Sequence, residues 1–197
     1  MRRFFGILLV FVGIFVILIP FLENQYYTSQ EQDLIESFQT LDRLFSEEQS
    51  IAYAEEGAES SSNHDQELGD DVLGLIHIDR IDLTLPMLQG ATDENLDVGA
   101  GVLGESVSFG EVGNTGIAAH RSRTSGRLFN RLDEVDIGDS VTVETHDGDY
   151  EYEVFDTFIV EPDDISVLDV QEGESLITLI TCTIDSTERI IVQAKLL

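Results

Sequence analysis

One thiol, one imidazole and one guanidinium stand where covalent chemistry could use them. The chain has a single cysteine, Cys182, which ends a β-branched, apolar run, Leu176-Ile177-Thr178-Leu179-Ile180-Thr181. That composition suits a buried strand. Arg189 follows after Thr183-Ile184-Asp185-Ser186-Thr187-Glu188 and opens a second β-rich run, Arg189-Ile190-Ile191-Val192-Gln193-Ala194. His120 closes an earlier one, Gly116-Ile117-Ala118-Ala119. A thiol of ordinary pKa, near 8.5, is only a few per cent thiolate at neutral pH, so an adjacent imidazole would supply the base. A guanidinium could hold an oxyanion or favour the thiolate. Strands over 175–182 and 188–195, joined by a short hairpin, would bring Cys182 and Arg189 together at one rim. Two readings stay open for the cysteine: a catalytic nucleophile, or the buried, inert thiol that an apolar strand commonly carries. A lone cysteine excludes an internal disulfide, and in an exported protein it points to reactivity.

The other histidines make weaker candidates. His77 alternates with Ile76 and Ile78 and so faces away from them, His146 adjoins an Asp147-Gly148 turn, and His64 lies in a polar stretch. A zinc site needs several clustered Cys or His ligands, which the spacing does not offer. Carboxylates around Glu105, Glu111, Glu161, Asp163, Asp164 and Glu172 could hold calcium if loops gathered them, although chance proximity among 39 acids also accounts for them. No other cofactor is expected; phosphate-loop, dinucleotide and G-x-S-x-G patterns are missing.

The elements that must position these groups follow from the patterning. Met1-Arg2-Arg3 precedes an uncharged apolar run, Phe4–Leu22. Its length, about 28 Å as a helix, matches a bilayer core, and the two arginines orient it with the N-terminus inside. A small-x-small cleavage site does not follow directly, so an anchor is favoured over a cleaved signal peptide. Residues 1–22 are thus read as a cytoplasmic tip and transmembrane anchor. Residues 23–71 are read as a stalk. Its first part is an amphipathic helix through Leu34, Phe38, Leu41, Leu44 and Phe45, packing loosely on the domain; its second part, 54–71, is an acidic flexible linker. From 72 to 197 short strands alternate with turn signals: near 73–78, 81–87, 115–120, 140–146, 150–160, 175–182 and 188–195. A short helix near 94–99 would take Thr92 or Asp93 as N-cap, and Arg127–Leu132 would form one helical turn. The fold class is all-β, and seven or eight strands in this length suggest a closed barrel, since closure removes exposed edges.

The formal charge is −29, from 39 acids against 10 bases, of which one, Lys195, is a lysine. Nucleic-acid binding needs clustered bases and is excluded as a function. Acidity on this scale fits the surface of a protein from a salt-loving organism or simply an acidic secreted protein.

Taken together, these residues resemble a family. Thr178-Leu179-Ile180-Thr181-Cys182 is similar to the TLxTC signature of sortases, the membrane-anchored cysteine transpeptidases of mainly Gram-positive bacteria. Ala118-Ala119-His120 is similar to their histidine motif, usually Ala-Gly-His. Arg189 matches their active-site arginine, and residues 161–169 resemble the lead into their substrate-binding loop. The likeness covers residues 72–197. It implies an eight-stranded sortase barrel that cleaves an LPxTG-like sorting signal between Thr and Gly, and transfers a surface protein to a peptidoglycan-precursor amine. It further implies that Cys182 forms the thioester, His120 acts as general acid or base, and Arg189 stabilises the oxyanion. Ala118, Val167, Thr178, Ile180 and Thr181 would line the signal's groove. The anchor fits a single-pass type II protein at the cell membrane with its catalytic domain outside. The short 183–188 loop, and a chain ending at Leu197 without a second apolar helix, point to class A or class D. Two rival readings are a hydrolytic cysteine protease with the same nucleophile and a non-catalytic surface-binding barrel.

Overall fold

The computed structural model describes residues 25–41, 43, 72–104, 109–124 and 126–197. The anchor at Phe4–Leu22, Leu44, Phe45, the 54–71 linker with His64, and Glu105 lie outside them. Among the described residues no helix is long and apolar enough to cross a membrane.

Residues 25–41 form a helix, α1. The strands are β1 (Val72–Ile78), β2 (Leu83–Gln89), β3 (Ala100–Val102), β4 (Gly113–Ala118), β5 (Ser140–Thr145), β6 (Gly148–Val160), β7 (Ser175–Cys182) and β8 (Arg189–Leu196). They close into a barrel in the order β1-β2-β3-β4-β7-β8-β6-β5, with β5 pairing back onto β1. Most pairs are antiparallel, whereas β2/β3 and β4/β7 run parallel. A short helix, α2 (Asp93–Val98), is capped by Thr92, whose side chain accepts a hydrogen bond from the Asn95 amide; two 3-10 turns kinked at Arg131 occupy Phe129–Glu134, and one occupies Ile165–Leu168. β3 went unseen in the sequence: three small residues, Ala-Gly-Val, present neither length nor alternation.

Alternation sorts the side chains. Ile76, Ile78, Leu85, Met87, Ile117, Val143, Tyr152, Ile177, Leu179, Val192 and Ala194 fill the barrel interior. Their neighbours on β1 and β2, Val72, Leu75 and Leu88, face outward, and α1 covers them with Leu34 and Phe38. Phe38 is fully buried, so α1 docks firmly where loose packing was expected. The reason is that β1 is apolar on both faces, and its outer face needs a lid. Around this contact the Phe38 ring packs on His146 with centroids 4.5 Å apart. Glu31 pairs with Arg127 at 3.5 Å, and the Arg127 guanidinium lies 5.5 Å from the centre of the Tyr27 ring. Burial pushes the Glu31 carboxyl up, against the opposing pull of Arg127. His77 bridges Thr84 Oγ1 at 3.0 Å and Glu144 Oε2 at 3.1 Å on the outer face of β1, β2 and β5.

With few bases to offset 39 acids, surface carboxylates repel one another and oppose compaction. Salt shortens the reach of exposed charges from about 8 Å at physiological strength to about 3 Å at 1 M. The melting temperature is therefore expected to rise between low and molar sodium chloride. A thermal melt that is flat or falling over that range would show that repulsion does not limit this fold.

Candidate active site

The strand registers build the site rung by rung. Across β7 and β8, Cys182 stands opposite Arg189, Ile180 opposite Ile191, and Thr178 opposite Gln193. Across β4 and β7, Ala118 is level with Ile180 and Gly116 with Thr178. The parallel pairing continues past β4: the Ala119 amide donates to the Ile180 carbonyl at 3.1 Å, and Thr181 Oγ1 donates to the Ala119 carbonyl at 2.9 Å. Two residues beyond Ala118, His120 therefore stands level with Cys182. Ile117, Ala119, Ile177, Leu179 and Val192 point inward, so alternation puts His120, Cys182 and Arg189 on the outer face. They form one rung, imidazole to thiol to guanidinium, at the upper rim.

Local contacts hold this rung. The His120 carbonyl accepts from the Phe129 amide at 3.1 Å. In the β7–β8 hairpin, Asp185 Oδ1 accepts from the Thr183 hydroxyl at 2.7 Å and the Thr187 hydroxyl at 2.9 Å. These bonds, that from Thr183 foremost, hold the Asp185 carboxyl below its usual range. The ordered hairpin delivers Arg189, which donates from Nη1 to the Glu188 carbonyl at 3.2 Å. Cys182 and Arg189 are half-buried and His120 is exposed.

On the outer face below the rung, Ala118 and Ile180 stand level with each other, both half-buried, where the expected groove would run. Farther down, Leu168 and Leu103 close over Gly116, where a Cβ would lie 2.8 Å from Leu168 Cδ2 and 2.9 Å from Leu103 Cδ1. A side chain there would have to push the two leucine tips aside. Above the rung, alternation turns the next residues to the other side. Arg121, Thr183, Glu188 and Ile190 help line a cavity of 610 Å³, together with Leu132, Asp133, Ile159 and Ile184. The rung thus separates the outer face at Ala118 and Ile180 from the rim cavity.

Of the residues expected to line the groove, Ala118 and Ile180 stand half-buried on the outer face below Cys182. Thr181 instead faces the interior, fully buried on Ala119, because strand alternation turns it away from Cys182. Thr178 and Val167 are buried, the Thr178 hydroxyl donating to Asn114 Oδ1 at 2.8 Å. Asn114, Gln193, Leu103 and Leu168 went unnoticed in the sequence. One signal was available: the Cys182–Arg189 hairpin register sets Gln193 beside Thr178, two polar residues in apolar strands that need partners. Among the described residues no three His, Cys, Asp or Glu side chains gather as a metal site. Asp164, one calcium candidate, caps the 3-10 turn by accepting from the Ser166 amide at 3.1 Å.

Comparison with known proteins decides the family. The family model described as "Sortase domain" matches residues 76–197. The chain belongs to the sortase family. It is 34% identical to sortase A of Bacillus anthracis over 127 residues, 64% of this chain and 60% of that protein. It is 33% identical to sortase A of Streptococcus agalactiae over 130 residues, 64% of this chain and 53% of that protein. The match to these two sortases thus spans a little over half of their length. Sortase A of Listeria monocytogenes is 26% identical over 210 residues, with 100% of this chain and 91% of that protein covered. Among solved structures, a Clostridium perfringens sortase D5 transpeptidase superposes with a TM-score of 0.68 at 28% identity, covering 86% of this chain and 99% of that one. The closed eight-stranded barrel expected from the sequence is thus the sortase barrel.

Proposed function

We propose that this chain is a cysteine transpeptidase of class A or class D type that cuts an LPxTG-like sorting signal between Thr and Gly and passes the threonyl group to a cell-wall amine. The observation that carries this reading is the single rung of His120, Cys182 and Arg189 across three adjacent strands. The donor lies extended in the outer groove with its threonine carbonyl at Cys182. The thiolate adds to that carbonyl carbon and Arg189 holds the oxyanion. As the C–N bond breaks, His120 gives its proton to the leaving glycine amine, and a thioester remains. An incoming amine then adds to the thioester carbon, yields a proton to His120, and expels the Cys182 thiolate. Phe4–Leu22 anchors the enzyme with the barrel outside the cell.

The amine enters from the rim cavity, whose walls carry Asp185 and Glu188, and Asp133 paired with Arg121 at 2.8 Å, beside the apolar Ile184 and Ile190. The carboxylates draw a cationic acceptor to the mouth, and it attacks the thioester once it has lost a proton to water there. Ile184→Arg places an opposing charge at the mouth and is expected to lower the ratio of aminolysis to hydrolysis several-fold without slowing thioester formation. An unchanged ratio would remove the cavity from the acceptor path.

The full-length chain in detergent, incubated with LPxTG-like peptides with and without an added amine and followed by mass spectrometry, tests the whole reading. Amide product appearing only with the amine supports a transpeptidase. Hydrolysis regardless of amine favours a protease. An intact peptide and an unreactive Cys182 favour a non-catalytic barrel.

A further inference from the structure

The segment after His120 folds back on itself. Arg121 and Leu128 form an isolated antiparallel bridge. The Phe129 amide closes it by donating to the His120 carbonyl at 3.1 Å. Asn130 Nδ2 donates to the Ser122 carbonyl at 2.6 Å, and the Arg127 amide donates to the Thr124 carbonyl at 3.3 Å across the tip. The His120 side chain is exposed, so packing does little to place the imidazole and the backbone of this loop has to. That backbone is strained. Leu128 is held at φ 52°, ψ −151°, a region that bulky residues seldom enter and keep only where their surroundings impose it.

The neighbouring Arg127 is what the surroundings grip. Its Nη2 donates to the Asp97 carbonyl near the end of α2. Its Nε faces Glu31 Oε2 of α1 at 3.5 Å, and its guanidinium lies 5.5 Å from the centre of the Tyr27 ring, also on α1. One guanidinium thus joins α1, α2 and the loop that begins at His120. Arg127 Nε and Glu31 Oε2 are buried without a hydrogen-bond partner, so each answers to the charge of the other. Docking of α1 does not call for this pair. Leu34 and Phe38 already seat the helix on β1, and burial works against the Glu31 carboxylate. A buried ion pair of this kind adds little net stability, and its best-attested use is to fix register.

We propose that Arg127 is a positioning residue for His120, and that α1, through Glu31 and Tyr27, is the strut behind it. This rests on the acyl-transfer reading above, in which His120 protonates the leaving amine. Arg127 touches no donor. It keeps Leu128 in its strained conformation and thereby keeps the Phe129 amide on the His120 carbonyl. Its effect falls on the step that needs the imidazole proton and leaves donor binding alone.

The test uses the full-length chain in detergent, with Arg127→Met, which keeps an apolar stem and loses the fork, with Glu31→Gln, and with both together. Two donors sharing one LPxT-like acyl part are compared. The amide peptide has a leaving amine that needs a proton, whereas a thioester of a small thiol expels a thiolate that needs none. With the peptide, kcat is expected to fall about tenfold in Arg127→Met, a part of the roughly 10²–10⁴ that a placed acid contributes. Glu31→Gln is expected to lower it several-fold, and KM is expected to stay within about twofold in both. With the thioester, both variants are expected to stay within about twofold of the parent. The double variant is expected to match Arg127→Met, because Glu31 acts through Arg127. The Phe129 amide is expected to exchange at least about tenfold faster in Arg127→Met, while β7 amides keep their protection and report an intact barrel. Unchanged kcat for the peptide, an equal loss with both donors, or unchanged exchange at Phe129 would overturn the proposal. Should Arg127→Met fail to fold, Arg127→Lys, which keeps the charge and loses the planar fork, decides by the same readouts. A parent acylated by neither donor would instead defeat the transpeptidase reading, and exchange at Phe129 would still decide whether Arg127 holds the His120 loop.

Discussion

Cys182→Ala is expected to abolish thioester formation and peptide cleavage while leaving the barrel folded. The thiol is the only one in the chain, so a second nucleophile of its kind cannot substitute. It is half-buried on the outer face. The packing around it is carried by inward-facing neighbours: Leu179, Thr181 and Ile190. Removing one sulfur from the outer face leaves the β7 ladder and the Thr181–Ala119 bond in place, so the cost in stability stays small beside that of a core truncation. Catalysis falls by orders of magnitude because the covalent step has no other acceptor for the threonyl group. The check is mass spectrometry for a donor adduct on the parent, absent from the variant, with thermal melts of both. Peptide cleavage persisting in Cys182→Ala would sink the assignment of the nucleophile.

How much of this was legible in the sequence depends on range. Most barrel strands announced themselves through β-branched runs and turn signals, and Asp147-Gly148 marked the β5–β6 hairpin, although Gly148 already pairs with Thr145 and the turn falls on His146 and Asp147. The alignment of His120, Cys182 and Arg189 was legible in part, because Cys182 and Arg189 flank a short hairpin and pair across it. His120 was harder to place. It joins the rung through a parallel pairing of β4 with β7, which depends on a crossover that local patterning does not encode. The docking of α1 was misjudged for a related reason: Leu34 and Phe38 looked like a weak stripe until β1 showed an apolar outer face. Thr181 was put in the groove by likeness to a signature, whereas simple alternation from Cys182 turns it inward. Asn114 and Gln193 are ordinary polar residues one by one. Only the closed sheet brings them, some eighty residues apart in the chain, onto the Val167 carbonyl.

Arg189→Lys is expected to lower kcat by roughly 10²-fold or more, the scale of losing an oxyanion donor, with a smaller change in KM. The argument is geometric. Arg189 is the direct cross-strand partner of Cys182, so its fork lies beside the atom that attacks. One of its nitrogens, Nη1, is held by the Glu188 carbonyl at 3.2 Å. That bond orients the plane and leaves other N–H groups free to point at the developing charge. Lysine keeps the positive charge but replaces a planar, pre-oriented fork with a flexible point charge, so it cannot hold both the backbone and the oxyanion. A ground-state carbonyl bears little charge, and in the proposed reading the donor is gripped elsewhere, along Ala118 and Ile180. The loss therefore falls on the step in which charge appears and not on binding. Single-turnover acylation measured over a range of peptide concentrations separates the two. A variant whose acylation rate at saturation matches the parent, with only its concentration dependence shifted, would make Arg189 a binding residue and leave the oxyanion without its proposed donor.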